Sequence, residues 1–207
     1  MLRLENGTPV ELFDDAGAVA SGSLVLEHGI ASVRVDQLAG DHSPRSAAIT
    51  VAAAIPKGER ADWMVEKLSE LGVAAFIPLA AERSVVLPEG THKRERWQRI
   101  ATESAKQSRR HGVMRIESIA KIESLVARSP LIALSTRGEV APLPNLLHEL
   151  RNAVTLLVGP EGGWTDAELK LFESAGVRFA KMTESILRIE TAAVAAAALA
   201  AMLLRCS

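Results

Sequence analysis

A short glycine-rich stretch, Val158 to Thr165 with the sequence VGPEGGWT, contains the residue types that most clearly suggest chemistry. Three glycines and one proline fall within five consecutive positions, which indicates that backbone atoms approach another group closely. The stretch lies between an apolar run typical of a buried strand and a predicted helix. Ligands of open α/β sheets bind beyond the carboxyl ends of such strands. A tight strand-to-helix turn without a ligand is the alternative interpretation of the same residues.

The residues of this turn bear on the kind of ligand that it can take. The stretch has no Gly-Lys-Ser/Thr ending and no GxGxxG pattern, so it matches neither of the two common phosphate-binding loops. Glu161 also places a negative charge inside the turn, where it would repel a phosphate. The carboxylate is compatible with a ligand that carries positive charge, such as a sulfonium.

A second stretch, Ile186 to Thr191, precedes an alanine-rich segment predicted to be a helix from Thr191 to Leu204. Thr191 is predicted to cap that helix. Arg188 and Glu190 are charged residues among apolar neighbours, which indicates either an ion pair at the helix entrance or part of a functional site. The small side chains of the helix allow another backbone to pack closely. We favour a second subunit over another helix of the same chain.

The longest predicted helix, Thr91 to Arg110, carries a local excess of positive charge. Between residues 93 and 115 there are eight Lys or Arg residues and two acids, although the whole chain has a net charge of −1. Spacings of three and four residues place several charged side chains on one face: Arg96, Arg99, Glu103, Lys106 and Arg110. The pattern is typical of a solvated helix face and also of a surface that contacts an RNA backbone. Lys57, Arg60 and Arg83, near predicted loops, would extend such a surface.

Composition excludes several classes of protein. The single cysteine, Cys206, cannot form a disulfide within the chain, which favours a cytoplasmic protein. The five histidines, at positions 28, 42, 92, 111 and 148, show no ligand spacing, so no metal site is expected. The longest apolar run has 14 residues and a membrane span needs about 20, so no membrane association is expected.

Strand and helix signals alternate after residue 47. Apolar runs predict strands at 48–54, 76–79, 131–135 and 154–158, and helices are predicted around 64–71, at 91–110, 165–175 and 191–204. This alternation favours an α/β domain with a mostly parallel sheet. Before it, residues 10–13, 19–27 and 30–35 predict short strands, with turns at 14–17 and 28–29, and residues 40–44 predict a linker.

From Ile49 to Leu204 these segments, in order, resemble the bacterial family that methylates N3 of a uridine in 16S ribosomal RNA. This family belongs to the SPOUT, or trefoil-knot, superfamily. The motifs that carry the resemblance are IPKG at 55–58, EKLSELGV at 66–73, IP at 77–78, RSV at 83–85, RW at 96–97, ESAKQSR at 103–109, GPEGG at 159–163 and LRIETA at 187–192.

The resemblance implies a particular α/β fold. Residues 47–207 would form a knotted methyltransferase domain that binds S-adenosyl-L-methionine. Residues 1–46 would form a PUA-like, β-rich RNA-binding domain, a small β-barrel that we expect to be incomplete. The chain would form a homodimer through the knot-region helices and act on the 16S rRNA of the small ribosomal subunit.

The resemblance also implies roles for individual residues. The expected cofactor contacts are Leu134, Ser135, Thr136, Val158, Gly159, Pro160, Glu161, Gly162, Gly163, Ile186, Leu187, Arg188 and Thr191. The expected RNA contacts are Lys57, Arg83, Arg96, Arg99, Lys106, Gln107, Arg109 and Arg110. As a hypothesis for the mechanism, Arg188, or an arginine from the partner subunit, would stabilise a uracil anion, and Glu161 or Glu190 would accept the proton or hold the cationic end of the cofactor in place.

One departure from the family pattern keeps other hypotheses open. Thr183, Glu184 and Ser185 stand where family members carry a glycine and a basic residue. A knotted RNA-binding or assembly protein without catalysis is therefore a second hypothesis. A knotted methyltransferase of transfer RNA is a third.

Overall fold

The structure, a computed structural model, describes residues 4–14, 18–39, 48–87, 91–110, 112–128, 130–136 and 140–204. The predicted linker at 40–44, most of the turn at 14–17, and Cys206 lie outside these residues. The first strands form a three-stranded antiparallel sheet in the order β1-β2-β3. Their bounds are Pro9–Phe13 for β1, Val19–Glu27 for β2 and Ile30–Ala39 for β3.

The remaining strands form a second, larger sheet in which the paired strands run parallel. Its order is β6-β5-β4-β10-β8-β11-β9, and β7 pairs with β5. The strands are β4 (Ala48–Ala53), β5 (Ala75–Ala80), β6 (Arg115–Ile116), β7 (Ala120–Lys121), β8 (Leu131–Leu134), β9 (Ala141–Pro142), β10 (Ala153–Val158) and β11 (Arg178–Lys181).

Six helices connect these strands within the described residues. They are α1 (Arg60–Glu70), α2 (Thr91–Gln107), α3 (Ile122–Leu125), α4 (Leu143–His148), α5 (Asp166–Ser174) and α6 (Ile189–Leu203). The prediction of a mixed α/β fold with a parallel sheet is confirmed.

Both faces of the large sheet are covered, which explains why its central strands, β4, β5, β8 and β10, are almost entirely apolar. Along β4, Val51 and Ala53 point into the core that contains α1, α2, α4 and α6. Ala52, between them, points into the opposite core, which contains residues of α3 and α5. Successive side chains of a strand alternate between faces, so a strand buried on both sides carries apolar residues at consecutive positions.

The start of α6 differs from the prediction. The N-cap is Arg188 and the helix begins at Ile189, so Thr191 lies inside the first turn and its prediction as the cap is wrong. Ile189 is buried in the core, and the helix therefore begins two residues earlier in the chain than predicted. Glu190 then lies in the first turn, where a negative charge interacts favourably with the helix dipole.

Helices α1 and α2 are joined by reciprocal hydrogen bonds from buried hydroxyl groups. The Ser69 hydroxyl donates to the carbonyl of Ala101 at 2.9 Å, and the Ser104 hydroxyl donates to the carbonyl of Glu66 at 3.0 Å. The Arg110 guanidinium, whose pKa is lowered by burial, donates to the carbonyl of Ser69 at 3.1 Å. These bonds fix the basic helix against the core.

No helix in the described ranges combines the length and the apolar character that crossing a membrane requires.

The close packing of α6 generates the first prediction. Ala193 is fully buried, on a helix that packs against α1, α4, β4 and β10. Ala193→Leu should destabilise the protein by about 1–3 kcal/mol, because the added methylene groups have no space. Ala167→Leu, at an exposed position of α5, should change the free energy of unfolding by less than about 0.5 kcal/mol. Urea denaturation of both variants tests this, and equal stabilities would contradict it.

Candidate functional site

Three loops meet at the carboxyl edge of the large sheet and enclose a cavity. They follow β8, β10 and β11, which are neighbours in the sheet. The cavity has a volume of about 410 Å³, within the range of small-molecule sites. Its lining consists of Leu134, Ser135, Thr136, Val158, Gly159, Pro160, Glu161, Gly163, Trp164, Ala180, Lys181, Met182, Thr183, Ser185, Ile186, Leu187, Arg188, Ile189 and Ala192.

The structure brings together eleven of the thirteen residues expected to contact a cofactor, from the stretches 134–136, 158–163 and 186–188. Gly162 and Thr191 do not line the cavity. The side chain of Arg83 packs against Gly162, and Thr191 is exposed on α6. Sequence reasoning missed Trp164 and the residues around β11. The position of Trp164 directly after the glycine turn could have indicated that it belongs to the site. The four residues of β11 show no pattern typical of a strand, so the sequence did not predict it.

Trp164 joins two of the three loops. Its indole Nε1 donates to the carbonyl of Leu134 at 2.9 Å, and its ring is buried against Phe172 with a centroid separation of 5.0 Å. A Cβ atom at Gly159 would lie only 2.9 Å from this ring. Glycine at 159 is therefore required by the close approach of the backbone to the indole.

The turn at 159–163 is closed by its own backbone. The amide of Gly163 donates to the carbonyl of Pro160 at 2.8 Å, and Gly163 has a φ of +68°, a conformation that favours glycine. Glu161, at the centre of the turn, lines the cavity and its side chain is 61% exposed.

The helix that follows the turn begins with a complete capping box. The Thr165 hydroxyl accepts from the amide of Glu168 at 3.3 Å, and Glu168 Oε2 accepts from the amide of Thr165 at 2.7 Å. This confirms the predicted start of α5. The second oxygen of Glu168 accepts from the amide of Glu82 at 2.9 Å, so the buried carboxylate also ties the loop after β5 to the site.

The charges beside the cavity are arranged around Arg60, at the start of α1. Arg60 Nη1 lies 3.4 Å from Glu190 Oε1 and 3.8 Å from Glu161 Oε1. Glu190 thus forms an ion pair at the helix entrance, but with Arg60 and not with Arg188. Its side chain is only 8% exposed, it does not line the cavity, and its Oε2 atom has no hydrogen-bond partner among the described residues.

Arg188 differs from Glu190 because it is exposed and lines the cavity. Among the residues that the structure describes, its side chain has no ion pair. Of the three residues expected to be catalytic, Arg188 and Glu161 therefore face the cavity, and Glu190 lies behind them.

The residues that depart from the family pattern form a tight local turn. The Thr183 hydroxyl donates to the carbonyl of Ser185 at 2.7 Å. Lys181 donates to Glu184 at 2.8 Å, and this hydrogen bond holds the pKa of the Glu184 carboxyl below its ordinary value. Lys181 lines the cavity, so a basic residue is present near the position where the family carries one.

Half of the residues expected to contact RNA have intramolecular partners. Arg96 binds Asp62 at 2.7 Å, Lys106 binds Glu103 at 2.8 Å, and Arg110 donates to a carbonyl of α1. Arg83 donates to carbonyls of the glycine turn. The other four side chains have no hydrogen-bond or ion-pair partner in the part of the chain described: Lys57, Arg99, Gln107 and Arg109.

The described ranges contain no group of three or more His, Cys, Asp or Glu side chains placed to hold a metal ion.

Comparison with known proteins identifies relatives of the whole fold. The family described as an RNA methyltransferase domain matches residues 43–201. Ribosomal RNA small subunit methyltransferase E of Bacillus subtilis (strain 168) is 37% identical over 70% of this chain and 61% of its own length. The Synechocystis protein of the same name is 32% identical over 96% of this chain and 67% of its own length. The chain thus spans about three-fifths to two-thirds of these relatives.

A solved structure agrees with these sequence relatives. The crystal structure of a ribosomal RNA small subunit methyltransferase E from Neisseria gonorrhoeae, bound to S-adenosyl methionine, superposes with a TM-score of 0.84. The two proteins are 28% identical over 97% of this chain and 85% of that one. The match of the domain over residues 43–201, together with these relatives, shows that the chain belongs to the RNA methyltransferase domain family.

Proposed function

We propose that this protein transfers a methyl group from S-adenosyl-L-methionine to N3 of a uridine in the 16S rRNA of the small ribosomal subunit, in the cytoplasm. The observation that carries the proposal is the meeting of three loops, after β8, β10 and β11, around one cavity. The family membership and the cofactor in the Neisseria gonorrhoeae relative support it.

The cavity suits this methyl donor in both its surface and its charge. Leu134, Val158 and Leu187 give it apolar walls against which an adenosine can lie. The glycine turn brings backbone groups to the same space, and these can hydrogen-bond the adenine and ribose. Glu161 supplies a negative charge beside a cationic ligand. When bound, S-adenosyl-L-methionine would supply an electrophilic methyl group on a positively charged sulfur.

Arg188 and Glu161 are the side chains best placed to act on a uracil ring. Both line the cavity and both are exposed to an incoming base. Removal of the N3 proton leaves negative charge on uracil oxygens O2 and O4, which a guanidinium can stabilise as an oxyanion hole does. Glu161 can accept the N3 proton from a uracil within hydrogen-bonding distance. We assign charge stabilisation to Arg188 and the proton to Glu161.

Glu190 takes a different part in this proposal. Its burial behind the cavity prevents direct contact with a substrate, but its ion pair holds Arg60 close to Glu161. We therefore assign Glu190 as a positioning residue that acts through Arg60. Removing Arg60 would leave the buried Glu190 carboxylate without its partner, which is costly.

The RNA surface proposed here centres on the exposed cations near the cavity edge and on α2. Lys57, Arg99 and Arg109 are exposed and have no intramolecular partner in the described ranges, so their charges are available to phosphates. Arg96 and Lys106 must share their charge with acidic neighbours. The unpaired cations should therefore dominate the electrostatic part of RNA binding.

The finer features of the fold form part of the same proposal. Residues 47–207 would be the methyltransferase domain, with the segment between β11 and α6 threaded as a trefoil knot. Residues 1–46 would be an RNA-binding, PUA-like domain. The expectation that the small side chains of α6 pack against a second subunit is wrong, because Ala193, Ala196 and Ala200 are buried against elements of the same chain. A homodimer through the knot-region helices, α6 among them, is supported by the exposed Met202 at the end of α6, at 81% exposure.

The reaction is tested with radiolabelled S-adenosyl-L-methionine and small ribosomal subunits that lack the uridine modification. Label should appear in 16S rRNA and be released as 3-methyluridine on digestion. Transfer to tRNA instead would support the tRNA methyltransferase hypothesis. RNA binding without measurable donor binding, in calorimetry, would support a non-catalytic assembly protein.

Donor binding depends on the glycine at 159. Gly159→Ala should weaken the affinity for S-adenosyl-L-methionine by about 10-fold or more, because the new methyl group would collide with the Trp164 ring. Isothermal titration calorimetry measures the affinity, and a thermal melt shows whether the variant is folded. A folded variant with unchanged affinity would contradict the proposed placement of the donor.

Catalysis depends on Arg188. Arg188→Ala should lower kcat by about 100-fold or more, with a smaller change in donor affinity and no change in the dimer seen by light scattering. Arg151→Ala is a matched control, since Arg151 is exposed and lies two residues before β10, at the opposite edge of the sheet. Equal methyl-transfer rates for the two variants would remove Arg188 from the mechanism.

A further inference from the structure

Arg83 is a cation in the loop after β5, where its sequence position suggests a contact with RNA. Its guanidinium nevertheless turns towards the protein. Nη1 donates to the carbonyl of Gly162 at 2.8 Å and to the carbonyl of Trp164 at 3.3 Å. Hydrogen bonds from a charged donor are stronger than those between neutral groups.

The first of these hydrogen bonds acts on a particular peptide group of the glycine turn. The carbonyl of Gly162 and the amide of Gly163 belong to the same peptide. The amide end donates to the carbonyl of Pro160 at 2.8 Å, and the carbonyl end accepts from Arg83. This peptide is therefore held at both ends, although it joins two glycines, the residues that most easily allow a peptide to rotate.

The side chain of Arg83 also fills the space behind the turn. A Cβ atom at Gly162 would lie 3.2 Å from Cδ and 3.4 Å from Cβ of Arg83. This packing explains why Gly162 does not line the cavity while Gly159, Pro160, Glu161 and Gly163 do. The neighbouring residue, Glu82, is held to the buried Glu168 carboxylate at 2.9 Å, so the base of Arg83 is fixed as well.

We infer that Arg83 is a positioning residue of the methyl-donor site, which keeps the glycine turn in the shape that binds the donor. This inference rests on the proposed function, because donor binding is its readout. It assigns Arg83 a role other than the expected RNA contact. Because Nη1 is bound to two carbonyls of the protein, we expect Arg83 to contribute less to RNA binding than the unpaired cations do.

The direct test compares donor affinity and RNA affinity in the full-length protein. Arg83→Ala should weaken the binding of S-adenosyl-L-methionine by about 10- to 100-fold, the loss expected for charge-assisted hydrogen bonds. Its affinity for deproteinised 16S rRNA, measured in the absence of donor, should stay within about two-fold. Arg99→Ala should show the opposite pattern, with weaker RNA binding and unchanged donor binding. Lys170→Ala, at an exposed cation of α5, is the matched control for loss of a positive charge.

Arg83→Lys separates position from charge. A lysine keeps the charge and can donate to a carbonyl, but it cannot reproduce the planar guanidinium. It should therefore recover donor binding only partly, to roughly 3- to 10-fold below the unmodified protein. If a thermal melt shows that Arg83→Ala is not folded, the donor affinity of Arg83→Lys tests the inference instead.

A double-mutant cycle shows whether Arg83 acts through the turn. Gly162→Ala should weaken donor binding by about 5- to 10-fold, because its methyl group presses on the Arg83 side chain. In the Arg83→Ala background the same change should cost less than about two-fold, since the 3.2 Å contact is gone. Such non-additivity shows that the two residues interact.

The outcomes separate this inference from the proposed function. If the unmodified protein does not bind S-adenosyl-L-methionine, the proposed function fails and the inference with it. If the unmodified protein binds the donor and folded Arg83 variants bind it equally well, only the inference is overturned. Additive effects in the cycle, or loss of RNA affinity in Arg83→Ala as large as in Arg99→Ala, would also overturn it.

Discussion

Trp164 stands between the core of the protein and the cavity, and its contacts determine how the two are connected. On one side its ring packs edge-on against Phe172, which packs in turn against Phe179 of β11 at 5.9 Å. On the other side its indole Nε1 donates to the carbonyl at the end of β8. The three strands whose loops form the cavity are thus linked through one buried aromatic group. A shift of the indole would move the walls of the cavity together, because close-packed interiors transmit displacements.

The chemistry of the cavity follows from building it on backbone loops with few charged side chains. Backbone amides and carbonyls can recognise a polar ligand only if each peptide is held in one orientation. The structure achieves this through Trp164, which lines the cavity, and through Arg83, which lies behind the glycine turn. In the proposed function, two charged side chains that line the cavity, Glu161 and Arg188, would then act on the bound donor and on the substrate.

Local sequence patterns predicted the elements but not the contacts between them. The capping box of α5, the glycine turn and the apolar strands follow from residues close together in the chain, and the structure confirms them. Arg83 and Gly162 are 79 residues apart, and Arg60 and Glu190 are 130 residues apart. The local sequence around each of these residues does not indicate which distant residue it contacts. The cap of α6 was misplaced for a related reason, since burial of Ile189 in the tertiary core overrode the capping preference of a threonine.

Contacts between residues that are distant in the chain also affect how a nearly neutral protein would bind RNA. With a net charge of −1, attraction cannot come from the whole molecule, so it depends on local cations that neutralise phosphates and release the counterions condensed on the RNA. Arg96 and Lys106 are paired with acidic side chains, so they would neutralise phosphates less and release fewer of these counterions. In the proposed function, the salt dependence of RNA binding therefore reflects the unpaired cations near α2 and not the total charge of the helix. A count of basic residues in the sequence overstates the electrostatic surface, because part of that charge holds α2 and the glycine turn in place.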